Sequence, residues 1–98
     1  MKDLTLGGYL REHERPPAFQ AADGEAYSVE LMVELTDPDD GAEWGAYFFF
    51  IRWRGTEAVA HLETDFLSRA GSEKEARAPL ENLTLHDIKG LLDSLVAG

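Results

Sequence analysis

The chain has 98 residues and a mass of 10.9 kDa, the material for one hydrophobic core. Hydrophobic residues at 44% and aromatic residues at 10% exclude a disordered chain, while 19 acidic against 9 basic side chains leave a net charge of −10 that repels nucleic-acid backbones and anionic membranes. The absence of cysteine excludes disulfides, thiolate metal sites and cysteine nucleophiles. No apolar run approaches the ~20 residues of a membrane span and the first ten residues lack a signal-peptide pattern, so the expectation is a cytoplasmic protein with neither a membrane nor a nucleic-acid partner.

The N-terminal part of the chain supports two readings. In one, Thr5 to His13 forms a short helix. In the other, Pro16 to Ala22 is an edge strand that pairs with Tyr27 onward through an Asp23-Gly24 turn, because prolines cannot donate to a ladder inside a sheet.

From Tyr27 to Thr36 apolar and polar residues alternate, with Tyr27, Val29, Leu31, Val33 and Leu35 on one side, which predicts a strand with one apolar face. Asp37-Pro38-Asp39-Asp40-Gly41 ends it in a turn. The run resembles a calcium loop only superficially. Its glycine comes one position early, and Phe48 stands where a bidentate glutamate is needed.

Trp44 to Arg54 is apolar on both parities as far as Ile51, the pattern of a central strand: Tyr47, Phe49, Ile51 and Trp53 lie on one side, and Trp44, Ala46, Phe48 and Phe50 on the other. Gly55-Thr56 reads as a two-residue hairpin loop with positive φ at the glycine. That loop sets Trp53 against Ala58, Ile51 against Ala60, Phe49 against Leu62 and Tyr47 against Thr64. Placing Val33 against Tyr47, Leu31 against Phe49 and Val29 against Ile51 gives all three strands a common core face.

Gly71 to Pro79 lacks apolar periodicity and reads as a solvated connection or a short exposed helical turn. Thr84 and Asp87 mark the start of a helix over Leu85 to Ala97, with Leu83 and Ile88 as a hydrophobic staple and Ile88, Leu91, Leu92, Leu95 and Val96 as its apolar stripe. Gly90 within it is expected to permit close packing against the sheet aromatics. The predicted fold is a single α+β domain over 1–98. It has a three- or four-stranded antiparallel meander sheet and a C-terminal helix packed on one face; a short N-terminal helix belongs to one of the two readings. An α-β-β-β-α order is shared with double-stranded-RNA-binding domains, but their basic helix start and loops are here replaced by Asp87 and by Asp37, Asp39 and Asp40.

In this register the second sheet face displays Met32, Trp44, Phe48, Phe50 and His61, with Val59 and Leu67 nearby. One helix cannot cover two apolar faces. The second is covered either by the N-terminal segment with Tyr9, Leu10 and Phe19, or by a second copy in a homodimer or another protein. Met32, Trp44, Phe48, Phe50 and His61 are therefore the candidate interface residues, and a protein-interaction module without catalysis is the preferred function. A rival reading is a small-molecule or metal-dependent enzyme with a polar site at Arg52, His61, Glu63 and Asp65, where a histidine and two carboxylates could hold a metal or exchange protons; ordinary outward polar alternation gives the same pattern. A third reading is an acidic nucleic-acid mimic that captures a basic protein. No phosphate-binding glycine loop and no G-x-S-x-G elbow is present, His13 and His86 lack metal-spaced partners, and no cofactor is expected.

Overall fold

The computed structural model describes residues 4–98. Both N-terminal readings are realised in succession. Helix α1 (Leu6–Glu12) is capped by Thr5, whose Oγ1 accepts the Gly8 N–H at 3.1 Å. Strand β1 (Ala18–Gln20) then pairs antiparallel with β2 (Ala26–Leu35), Phe19 opposite Tyr27, through a turn in which Gly24 has φ 83°. The start of the chain is tied to the C-terminal part by Leu6 N–H to the Leu83 carbonyl at 2.8 Å and Leu85 N–H to the Leu4 carbonyl at 2.9 Å.

β2 pairs with β3 (Trp44–Arg54), which in turn pairs with β4 (Glu57–Glu63), and the short β5 (Ser68–Ala70) joins β3 beyond the end of β4. The sheet is antiparallel with β3 at its centre, as the doubly apolar sequence of that strand requires. The gap between β4 and β5 is bridged by backbone: Thr64 N–H reaches the Phe48 carbonyl at 3.0 Å, Thr64 Oγ1 accepts the Phe48 N–H at 3.1 Å, and Leu67 N–H reaches the Ala46 carbonyl at 2.8 Å.

The predicted register is corrected at two points. In the β2–β3 hairpin Val33 pairs with Ala46, Leu31 with Phe48 and Val29 with Phe50, one residue from the expected alignment. Because side chains alternate with period two, that single step exchanges the faces of β3. In the β3–β4 hairpin Gly55 has the expected positive φ of 64° and Trp53 does face Ala58, but a bulge between Arg52 and Trp53 leaves Val59 unpaired, so Ile51 meets His61 and Phe49 meets Glu63. Phe48 and Phe50 therefore belong to the core, and Tyr47, Phe49, Ile51 and Trp53 lie opposite them.

Among the described residues, three helices cover the core face. Leu6 of α1, Ala76 and Leu80 of α2 (Glu73–Glu81), and Ile88 and Leu92 of α3 (Leu85–Ala97) share one buried cluster with Tyr27, Val29, Ala46, Phe48 and Phe50. Each large side chain in it contributes roughly 1.5 to 3 kcal/mol through burial. Of the two expectations for this stretch, a solvated connection or a short exposed helical turn, the helical one is nearer, but α2 runs for nine residues and buries one face. Ser72 Oγ accepts the Glu75 N–H at 3.2 Å, and Ala76 and Leu80, four residues apart, are its buried anchors.

α3 has the expected capping box, Thr84 Oγ1 accepting the Asp87 N–H at 3.0 Å and Asp87 Oδ2 accepting the Thr84 N–H at 3.1 Å. Gly90 does not serve the close packing expected of it: it is exposed, and a Cβ there would meet nothing within 4 Å. Among the described residues no helix is long and apolar enough to cross a membrane.

Candidate binding face of the sheet

The face of the sheet turned away from the helices is built on β3. Tyr47, Phe49, Ile51 and Trp53 run along its centre, each half-buried by its neighbours. On the β2 side, Met32 stands beside Tyr47, Glu30 beside Phe49 and Ser28 beside Ile51. On the β4 side, Glu63 stands beside Phe49 and His61 beside Ile51. An aromatic and aliphatic ridge is thus flanked by carboxylates on both sides. The helices supply no cover here, since α1 and Phe19, expected in one reading to cross this face, join the helical side instead.

Local hydrogen bonds accompany this parity. Trp53 Nε1 donates to Ser28 Oγ at 2.8 Å, and the Tyr47 hydroxyl approaches Glu34 Oε2 at 3.5 Å. Phe48 and Phe50 carry no polar atom and can be enclosed without a partner, whereas a Tyr or Trp in their place would have to satisfy its O–H or N–H inside the core. His61 stacks on Phe49 with centroids 5.0 Å apart and planes inclined by 20°, so its ring extends the aromatic ridge onto β4.

At one end of the ridge the 64–67 segment folds back over the sheet. Phe66 lies so close above Gly45 that a Cβ at that position would come within 2.4 Å of its ring. The same ring meets Tyr47 edge-on at 5.7 Å and carries the Arg69 guanidinium over it at 5.3 Å. Glu34, Tyr47, Glu63, Asp65, Phe66 and Arg69, with Thr64, line a cleft of about 430 Å³ there. Burial, and then the negative fields of Glu34 and Glu63, raise the Tyr47 phenol above its ordinary pKa.

The structure divides the residues singled out in the sequence. Met32 and His61 stand on the open face. Phe48 and Phe50 are fully buried beneath the helices, and Trp44 is half-buried with its side chain packed against the core. Val59 and Leu67 are exposed, in the bulge and in the β4–β5 connection.

The polar group is split as well. His61 and Glu63 share the open face and Asp65 lies in the loop beyond, but Arg52 is on the helical side opposite Tyr27. There its buried Nε has no hydrogen-bond partner. Nearby, the Tyr27 hydroxyl donates to Asp23 Oδ2 at 2.9 Å; burial and that carboxylate raise its pKa, partly offset by Arg52. Among the described residues no group of three or more His, Asp or Glu is placed to hold a metal ion.

Sequence reasoning missed Tyr47, Phe49, Ile51, Trp53 and Phe66. Tyr47 and Trp53 carry polar tips on the outward row, but Trp44 and Arg52 carry polar groups on the inward one, so side-chain polarity did not distinguish the two.

These features define a class in physical terms, an antiparallel sheet layered by helices on one side and open on the other. Comparison with protein-family models, curated proteins and solved structures finds no match for the chain.

Proposed function

We propose that the protein is a non-catalytic interaction module that docks a protein partner on the open face of its sheet. One observation carries this reading. Tyr47, Phe49, Ile51 and Trp53, joined by Met32, form a continuous apolar row on the side opposite all three helices. Contiguous aromatic surface of this kind is uncommon on a free-standing sheet and gives the large, rigid contact area from which binding hot spots are made. The occupant is either a second copy of the chain or a different protein.

Arg52 lies on the opposite side of the sheet from His61 and Glu63, which gives the enzyme reading less support than the docking one. Site-specific photocross-linking tests the docking reading, with a photoreactive residue placed at Ile51 on the open face or at Lys74 on the helical side. Adducts are expected from position 51, either with itself or with another protein. Equal yields from both positions would remove the assignment of the face, and sedimentation of the purified protein across a concentration series separates the two kinds of occupant.

A further inference from the structure

The charges around the aromatic ridge distinguish between those occupants. Glu30, Glu34 and Glu63 project from the open face and Asp65 stands at its end; none of them takes part in the three ion pairs among the described residues, Arg69–Glu43, Arg77–Glu81 and Lys89–Asp93. The face is therefore aromatic in the middle and negative at its flanks, with none of the described basic side chains paired to those four carboxylates.

A second copy laid against this face would bring the same carboxylates towards one another, which opposes association. A segment carrying lysine or arginine meets complementary charge instead, and it can lay its apolar side chains on the ridge.

The cleft at the Phe66 end shows what such a segment would find. Tyr47 and Phe66 present ring surfaces at right angles, and Glu34, Glu63 and Asp65 surround them. Among the described residues the one cation in the cleft is Arg69, which already lies over the Phe66 ring and is held to Glu43 at 3.4 Å, so its charge is matched outside the cleft. Aromatic walls with carboxylates at the rim are the surroundings in which an ammonium or guanidinium group is stabilised by ring quadrupoles and by opposite charge together.

We propose that the open face docks a basic protein segment and that a lysine or arginine side chain of that segment seats in the cleft between Tyr47, Phe66, Glu34 and Glu63. The proposal rests on the docking reading and adds the chemistry of the partner to it.

The test uses a fluorescent decalysine peptide and its fully Nε-acetylated form as probes, at about 0.15 M salt so that long-range attraction is screened. Two charge-matched double variants are compared. Glu34→Gln/Glu63→Gln removes two carboxylates from the cleft, and Glu12→Gln/Glu73→Gln removes two from the helical side. Phe49→Ala and Tyr47→Leu report on the ridge and on the ring, with thermal melts confirming that each variant is folded.

Decalysine is expected to bind and its acetylated form not to. The cleft pair should weaken binding about fivefold or more relative to the helical pair, and Tyr47→Leu about threefold. Equal losses from the two pairs would show attraction to overall charge alone and overturn the proposal. Binding of both peptides, lost in Phe49→Ala and indifferent to the carboxylates, would overturn the basic partner while leaving the docking face in place. Tight self-association of the wild-type protein through this face at neutral pH would likewise overturn it in favour of a second copy.

Discussion

Phe48, Phe49 and Phe50 are identical in chemistry and adjacent in sequence, yet alternation along β3 gives them opposite environments. Phe48 and Phe50 have no measurable exposure, whereas Phe49 is half-buried beside Glu30 and Glu63. Phe48→Ala is therefore expected to cost roughly 3 to 5 kcal/mol of stability, the range for emptying an aromatic site in a closed core. Phe49→Ala should cost less than half of that, since water can already reach the ring. Denaturant unfolding of the two variants measures the difference, and equal losses would contradict the register. Gly45 is a second position where a single atom matters. A methyl group there would meet the Phe66 ring at 2.4 Å, so Gly45→Ala must push the ring off the sheet. The expected result is a loss of about 1 to 2 kcal/mol, accompanied by a change in the chemical shifts of Tyr47, which now feels that ring edge-on. None of this was readable from hydropathy, because both parities of β3 are apolar. Polar tips do not separate the rows either, since Trp44 and Arg52 lie on the core side with Phe48 and Phe50, opposite Tyr47 and Trp53.

Among the elements, legibility followed the number of independent local signals. α3 was marked by a capping residue, a returning carboxylate and an apolar stripe, all of which the structure retains. β2 was marked from Tyr27 by an alternation broken only at Met32, and the tight hairpin by a glycine that does take positive φ. α2 was obscured because only Ala76 and Leu80 anchor it and Pro79 interrupts its interior. Its Ser72-x-x-Glu75 start is a capping signature that sequence reading passed over. The bulge at Val59 and the alignment of the β2–β3 hairpin depend on how strands settle against the helices, so no local pattern announces them. α3 also makes a pH-dependent attachment. Asp93 accepts the Lys89 ammonium at 2.8 Å and the Ala22 N–H at 2.8 Å, joining the helix to the β1–β2 turn. Lys89 first, and then that backbone N–H, hold the Asp93 carboxyl below its ordinary pKa. A carboxylate whose pKa is lower folded than unfolded adds stability above its unfolded value and loses it as the pH falls through the folded one. Asp93→Asn should thus lower the melting temperature at about pH 7, by an amount that shrinks as the pH falls through the range in which the folded carboxyl takes up its proton. A gap that stays constant across that range would show that the ion pair and its pKa shift do not stabilise the fold.

The net charge of −10 and the open aromatic face, taken together, bear on whether copies of the protein associate. An apolar ridge on an antiparallel sheet invites stacking against a second sheet, and the usual protection is charge placed where the two would meet. Glu30, Glu34 and Glu63 occupy those places, two rows apart on β2 and facing them across β3 on β4. Repulsion between copies is then concentrated at the contact rather than spread over the surface, and it disappears when the carboxylates are neutral. The triple variant Glu30→Gln/Glu34→Gln/Glu63→Gln should therefore self-associate at neutral pH, while a control with three Gln substitutions on the helical side, at Glu12, Glu73 and Glu81, should keep the mass of the wild type. The wild-type protein should move in the same direction on acidification towards its pI near 4.5, and Phe49→Lys should suppress that change by placing a lasting charge on the ridge. Sedimentation velocity at matched concentration reads all three. If the helical control associates as readily as the triple variant, overall charge is what keeps the molecules apart, and the carboxylates of the open face have no special part in it.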